Sequence, residues 1–305
     1  MKKAFQKTLI AAAAGVALMS AVGTASANSL LFPYFTTATG AQSVLSLTNT
    51  TGNTQSLHYV YNYGAACTHF DAYGSMTQND ILTHSVAATS AGGFGMAVSG
   101  DTSLPVHFPL KDQTGFLVVS TKSAGSTAQG LQGSMAIVDP ASGLVVSYPG
   151  ISNGLATDVA ANEGNFAAIT DVNFALATLP AAIVSTSWYG VVAGDMSAAI
   201  AAGADWTAST TFNNNGNVYN NDEVPFSGTV TKKITCAGTI VAKDLMTAAQ
   251  DAAVGTNGGL VKATAGTFTG GGTGAVMMKM QTVQAAAGAP FAGKQFLHRE
   301  SAGAF

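Results

Sequence analysis

Charge is scarce in this chain: 9% of its 305 residues are Asp, Glu, Lys or Arg, against about 25% in ordinary soluble domains. Arginine occurs once, at Arg299, and beyond Lys2, Lys3 and Lys7 the lysines lie apart except for Lys232 and Lys233. No basic stripe is present to neutralise a row of phosphates, which excludes nucleic acid as a partner. Cysteine is nearly as rare. Cys67 and Cys236 stand alone, and two cysteines without a C-x-x-C spacing make no zinc framework. Long apolar runs are missing too. A bilayer span needs roughly 20 apolar residues; the run over residues 8–21 is shorter, and residues 182–193 are interrupted by Ser185, Thr186 and Ser187. No transmembrane helix is expected after the leader.

Catalytic signatures are equally thin. No G-x-S-x-G elbow occurs, and Gly130-Leu131-Gln132-Gly133-Ser134 is not one. Glycoside hydrolysis needs two positioned carboxylates, yet Glu163, Glu223 and Glu300 are the only glutamates and nothing pairs them with an aspartate. Gly270-Gly271-Gly272-Thr273-Gly274 lacks the lysine that follows a phosphate loop and reads as a flexible turn.

What is present begins with an export signal. Lys2, Lys3 and Lys7 precede the uncharged run over residues 8–21, and Ala25-Ser26-Ala27 supplies a small-x-small cleavage site. This predicts a secretory signal peptide over residues 1–27 and an exported protein of the periplasm, cell surface or extracellular space. Its removal takes three lysines and moves the formal net charge from −3 to −6. No cysteine follows the apolar run, which argues against a lipoprotein. In an oxidising compartment the two cysteines are predicted to form one disulfide, Cys67 to Cys236.

The mature region reads as β-structure. Leu57, Tyr59, Tyr61 and Tyr63 alternate with His58, Val60 and Asn62, the period of a strand whose tyrosine side faces inward. Residues 43–48 form a second β-rich run, and Asn49-Thr50-Thr51-Gly52-Asn53-Thr54 between the two supplies turn chemistry. A hairpin of residues 44–48 with 57–63 is the expectation. Pro33 lacks an amide proton, so Leu30-Leu31-Phe32-Pro33-Tyr34-Phe35 is expected at an edge or broken at the proline. Further β-rich runs cover residues 94–98, 115–121, 134–138, 144–148, 183–192, 207–212, 229–234 and 276–283, with Asp139-Pro140-Ala141-Ser142-Gly143 as a hairpin turn. Residues 195–204 and 244–254 place an aspartate before alanine-rich sequence and predict short helices. The fold class expected is all-β, an antiparallel β-sandwich with a few short helical insertions. Residues 28–305 are expected to form a single disulfide-tied unit, the alternative being two β subdomains meeting near residue 150.

Four groups of residues are candidates for binding. His69 and Asp71 share a face if their segment is extended, with His84 close in sequence; imidazole and carboxylate together suit zinc or copper. A periplasmic or extracellular metal protein or enzyme would centre on His58, His69, Asp71 and His84, although their spacing matches no zinc framework. Residues 213–223 are rich in asparagine, but Asp222 and Glu223 alone supply charge for calcium, and a surface loop is the simpler account. Met277, Met278 and Met280 could ligate copper(I), or fill the core. Tyr34, Tyr73 and Tyr219 are the aromatic residues a carbohydrate-binding or adhesin module would use. No cofactor is required by any of these patterns.

Leu30-Leu31-Phe32-Pro33-Tyr34, followed by Ser46-Leu47-Thr48-Asn49-Thr50, resembles the mature start of a group of exported bacterial proteins of unassigned function. The resemblance implies an exported β-protein and carries no catalytic residue across. The reading that joins these features is a structural or interaction protein of a Gram-negative envelope or surface. It would assemble with protein, either itself or another envelope component, by strand addition. Leu30, Leu31, Phe32, Tyr34 and Phe35 are the candidate donor segment.

Overall fold

The computed structural model describes residues 28–93, 105–121, 130–139, 144–155, 162–284 and 295–300. The stretch expected to be a signal peptide, residues 1–27, and the expected β-rich run at residues 94–98 lie outside them. Two compact units result, one of Met1–Asn165 with Met196–Trp206, the other of Phe166–Asp195 with Thr207–Phe305. Antiparallel strands dominate both, giving the all-β, sandwich-like fold with few helices that the alternation predicts.

The first unit contains β1 (Ser29–Thr36), β2 (Gln42–Asn49), β3 (Gln55–Tyr63), β4 (Thr68–Met76), β5 (Ile81–Ser85), β6 (Thr114–Thr121), β7 (Leu131–Asp139), β8 (Leu144–Pro149), β9 (Ile151–Ser152) and helix α1 (Ser197–Ala202). One sheet runs β4-β3-β6-β1-β9 and the other β5-β2-β7-β8. The expected hairpin of β2 with β3 does not form. β2 pairs with β5 and β7, whereas β3 pairs with β4 and β6. Both edges of each strand are therefore taken, and the connection between them is an arch from one sheet to the other. Asn49 pins that arch: its side-chain oxygen accepts from the Thr51 backbone N–H and hydroxyl, and its amide donates to the carbonyls of Asn53 and Thr77. β7 and β8 do pair as a hairpin.

Between the sheets lies an aromatic core. Tyr61, Phe35 and Phe108 meet edge-on or tilted at 5.3–5.5 Å between ring centroids, contacts worth about 0.5–1.5 kcal/mol each beyond area burial. The tyrosine face of β3 thus points inward as expected. Its other face is covered as well, since His58, Val60 and Asn62 are buried. Burial also pushes the Tyr61 phenol well above its usual range.

β1 is the segment expected to act as donor strand. It lies inside its own sheet, paired with β6 from Ser29 to Thr36 and with β9 at Leu30 and Leu31. Leu30, Leu31, Phe32 and Phe35 are fully buried. Pro33 does break the ladder, because the register shifts between Phe32 and Phe35. There the Tyr148 hydroxyl donates to the Tyr34 carbonyl and accepts from the Tyr34 N–H at 3.2 Å, satisfying backbone groups that no strand reaches.

The second unit holds β10 (Asn173–Thr178), β11 (Val184–Gly194), β12 (Ser209–Asn213), β13 (Val218–Asn220), β14 (Pro225–Phe226), β15 (Thr231–Thr235), β16 (Ala237–Val241), helix α2 (Ala248–Asn257), β17 (Gly259–Thr269), β18 (Gly272–Val283) and β19 (Gln295–Arg299). β17 carries β10 on one edge and β12 and β13, end to end, on the other. The second sheet runs β16-β11-β18-β19. Met277 and Met278 are buried on β18, the core-filling role. Lys279 on the same strand is buried and meets Glu300 at 3.4 Å, and the Trp188 indole N–H donates to that carboxylate at 3.2 Å. This shared carboxylate fastens the end of β19.

The helices start later than the aspartates suggested. α2 is capped by Thr247, whose hydroxyl accepts from the Gln250 N–H while the Gln250 side chain accepts from the Thr247 N–H. Asp244 instead caps the preceding 3-10 turn Ala242–Leu245 through the Val241 N–H. Cys67 and Cys236 are disulfide-bonded, as their number and the export signal predict. No helix among the described residues is long and apolar enough to cross a membrane.

Candidate functional site

The pairing of β3 with β4 sets His58 opposite Tyr73, Val60 opposite Asp71 and Asn62 opposite His69. All six side chains stand on the outer face of the sheet, because the tyrosine face is turned to the core. Asp71 lies diagonally from His58 and two residues along the strand from His69, within reach of both. Its two oxygens divide accordingly: Oδ1 is 3.3 Å from His58 Nε2 and Oδ2 is 3.9 Å from His69 Nε2. The His58 contact lies outside hydrogen-bond geometry, so it is an electrostatic one.

Two segments from outside the sheet complete the row. Glu163 closes on His58 through Nδ1. Gly164 makes that approach feasible: it holds φ +70, and a Cβ there would lie 2.3 Å from Ile200 Cδ1. Its N–H donates to Ser29 Oγ, which in turn meets Ser120 Oγ at 2.7 Å, and its carbonyl accepts from the Met196 N–H. After α1 the chain turns at Gly203, left-handed at φ 56, and brings Asp205 to His69. Asp205 Oδ1 accepts from His69 Nδ1 at 2.7 Å and from the His69 backbone N–H at 3.0 Å. These two hydrogen bonds hold the Asp205 carboxyl below its ordinary value.

The result is one row in which carboxylates and imidazoles alternate: Glu163, His58, Asp71, His69, Asp205. Burial grades along it, from 1% exposure at His58 to 44% for the Asp205 side chain. Tyr73 covers the buried end, its ring parallel to the His58 imidazole at 4.5 Å and itself 58% exposed. Of the sequence candidates, His58, His69 and Asp71 are brought together. His84 is not, because it points from β5 into the core, edge-on to Tyr59 at 5.9 Å. There Nδ1 of His84 and Nδ1 of His107 both donate to the Ser85 carbonyl, which fixes the hydrogen on that nitrogen in each ring.

Chemically the row is a fastener. Each imidazole has a carboxylate oxygen near both ring nitrogens, so both nitrogens are turned to carboxylates of the row. Among the described residues no three His, Cys, Asp or Glu side chains converge to hold a metal ion. The asparagine-rich stretch does turn chemistry: Asn213, Asn214 and Asn220 use their side-chain oxygens to accept backbone N–H groups. The three tyrosines differ in availability. Tyr34 is half-buried, and Tyr219 is half-buried with Lys262 Nζ 5.5 Å from its ring centre, leaving Tyr73 open.

Sequence reasoning missed Glu163 and Asp205. Each lies far from the histidines along the chain, and the only local signs were a glycine directly after Glu163 and one shortly before Asp205. No family model matches the chain, and no curated protein matches it. A solved structure, that of Thermotoga maritima 1070, aligns with 42% of this chain and 95% of its own at 9% identity and a TM-score of 0.30. A likeness of that size carries no argument about function.

Proposed function

We propose that this is an exported structural or interaction protein of a bacterial envelope or surface, built from disulfide-stabilised antiparallel sheets. The observation that carries the reading is the row from Glu163 to Asp205. Among the described residues, the constellation that gathers histidines and carboxylates is spent on holding two chain segments against a sheet. The charge-poor composition and the disulfide support the same conclusion. Because β1 is occupied in its own sheet, contacts with other proteins fall to the sheet edges, of which β4, β5, β8 and β19 are examples. Asp205 already covers the outward N–H of His69 on β4, a familiar way to block an edge. The uncapped edges are the sites where main-chain hydrogen bonds to a partner strand would form.

Light scattering after gel filtration, with metal analysis of the same peak, tests the proposal. Metal-free assemblies, or a metal-free complex with an envelope protein, support it. A monomer carrying stoichiometric metal that is lost in His69→Ala overturns it.

A further inference from the structure

The second unit contains a cleft of about 420 Å³ where β10 gives way to β11, within the roughly 300–1,000 Å³ typical of small-molecule sites. Its wall includes Thr178, Val184, Lys243, Met246, Asp251 and Val254. Asp251 and Val254 are three residues apart on α2 and so share one helix face. Lys243 comes from the 3-10 turn before that helix. The apolar part is aliphatic and sulfur-bearing, with no aromatic ring among the lining residues. A sugar therefore finds no flat platform there.

Three polar groups of the lining are unspent, those of Lys243, Asp251 and Thr178, whereas Thr186 and Gln284 are engaged with Gln281 and Thr282. Neither Lys243 nor Asp251 forms an ion pair among the described residues, although Lys232, Lys279 and Arg299 in the same unit each do. Thr178 Oγ1 is buried without a hydrogen-bond partner among the described residues, so it is free to take a partner from the cleft. An ammonium, a carboxylate and a free hydroxyl around an aliphatic wall complement a molecule with opposite charges and an aliphatic body. We infer that the cleft binds a small zwitterionic aliphatic molecule, the class of free aliphatic amino acids and short peptides. Lys243 receives its carboxylate, Asp251 its ammonium, and Val184, Met246 and Val254 its side chain. This activity stands apart from the envelope role and does not depend on it.

Calorimetric titration of the purified chain with L-leucine and L-leucyl-L-leucine reads the site directly, with 4-methylpentanoate and 3-methylbutylamine as analogues carrying one charge each. Saturable binding of a zwitterion is expected, weakened about tenfold or more when either charge is missing. Lys243→Met and Asp251→Asn are each expected to cost a similar factor. Gly255→Leu, at a lining position where an added Cβ meets nothing within 4 Å, fills the cleft and should abolish binding while leaving both charges in place. The circular dichroism of each variant shows whether it is folded. The inference fails if neither zwitterion gives saturable heat up to about 10 mM, where a site with Kd near 1 mM would be mostly filled. It fails equally if folded Lys243→Met, Asp251→Asn and Gly255→Leu all bind like the parent.

Discussion

His58 is the residue on which the outer face of the first sheet turns. An imidazole at 1% exposure is tolerable only because carboxylates stand at both nitrogens and a tyrosine ring covers its face. Replacing Glu163 by alanine strips one of those partners while leaving the imidazole buried. Urea denaturation should show a loss of about 1–3 kcal/mol, the usual penalty for an orphaned buried polar group. Glu163→Gln keeps a hydrogen-bond partner and should lose less; equal losses for the two would show that the contact itself contributes little. At the solvent end, Asp205 makes a pH prediction. Its folded-state carboxyl is held below the ordinary 3.8 by the His69 hydrogen bonds. The stability it contributes is present above pH 3.8 and is lost as the pH falls through the lowered folded-state value. In Asp205→Asn that part of the acid destabilisation should vanish, so the gap between the parent and variant curves should be constant above pH 3.8 and close as the pH falls through the lowered folded-state value.

Elements were legible to the extent that alternation reports faces. The inward tyrosines of β3, the interrupted β1 and the β7–β8 hairpin could be read because each is a local property of side-chain period, proline chemistry or turn residues. Pairing was not legible. Alternation on β2 and β3 says which side is apolar but not which strand lies alongside, and a turn-rich connection serves an arch as well as a hairpin. The same blindness hid the site. His69 and Asp71 could be set on one face from their spacing, whereas His84 needed knowledge that its strand belongs to the other sheet. Glu163 and Asp205 needed the path of two distant segments. Helix α2 offers a test at this scale. Gly255 lies inside it with helical neighbours on both sides and open space where a Cβ would go. Gly255→Ala should therefore stabilise the protein by about 0.5–1 kcal/mol, seen as a raised Tm. No change would mean that this last turn is frayed and gains nothing from a better helix former.

At the scale of the whole molecule the disulfide ties together segments far apart in the chain. A surface with so little charge and a chain with one pair of cysteines make sense together in an oxidising space, where the pair closes a loop of roughly 170 residues and the chain-entropy model assigns up to about 5 kcal/mol. Both cysteines hold left-handed backbone, φ 57 at Cys67 and φ 60 at Cys236, a conformation that costs a residue with a side chain on the order of 1 kcal/mol or more. The bridge therefore opposes local strain at each of its ends. Reduction should lower the Tm, and Cys67→Ser with Cys236→Ser should lower it similarly, since both remove the crosslink and keep the strained backbone. Cys67→Gly with Cys236→Gly removes the crosslink but relieves the strain, and should recover part of the loss. Scanning calorimetry of the four forms separates the two contributions. A Tm unmoved by reduction would show that the crosslink does not limit the unfolded chain.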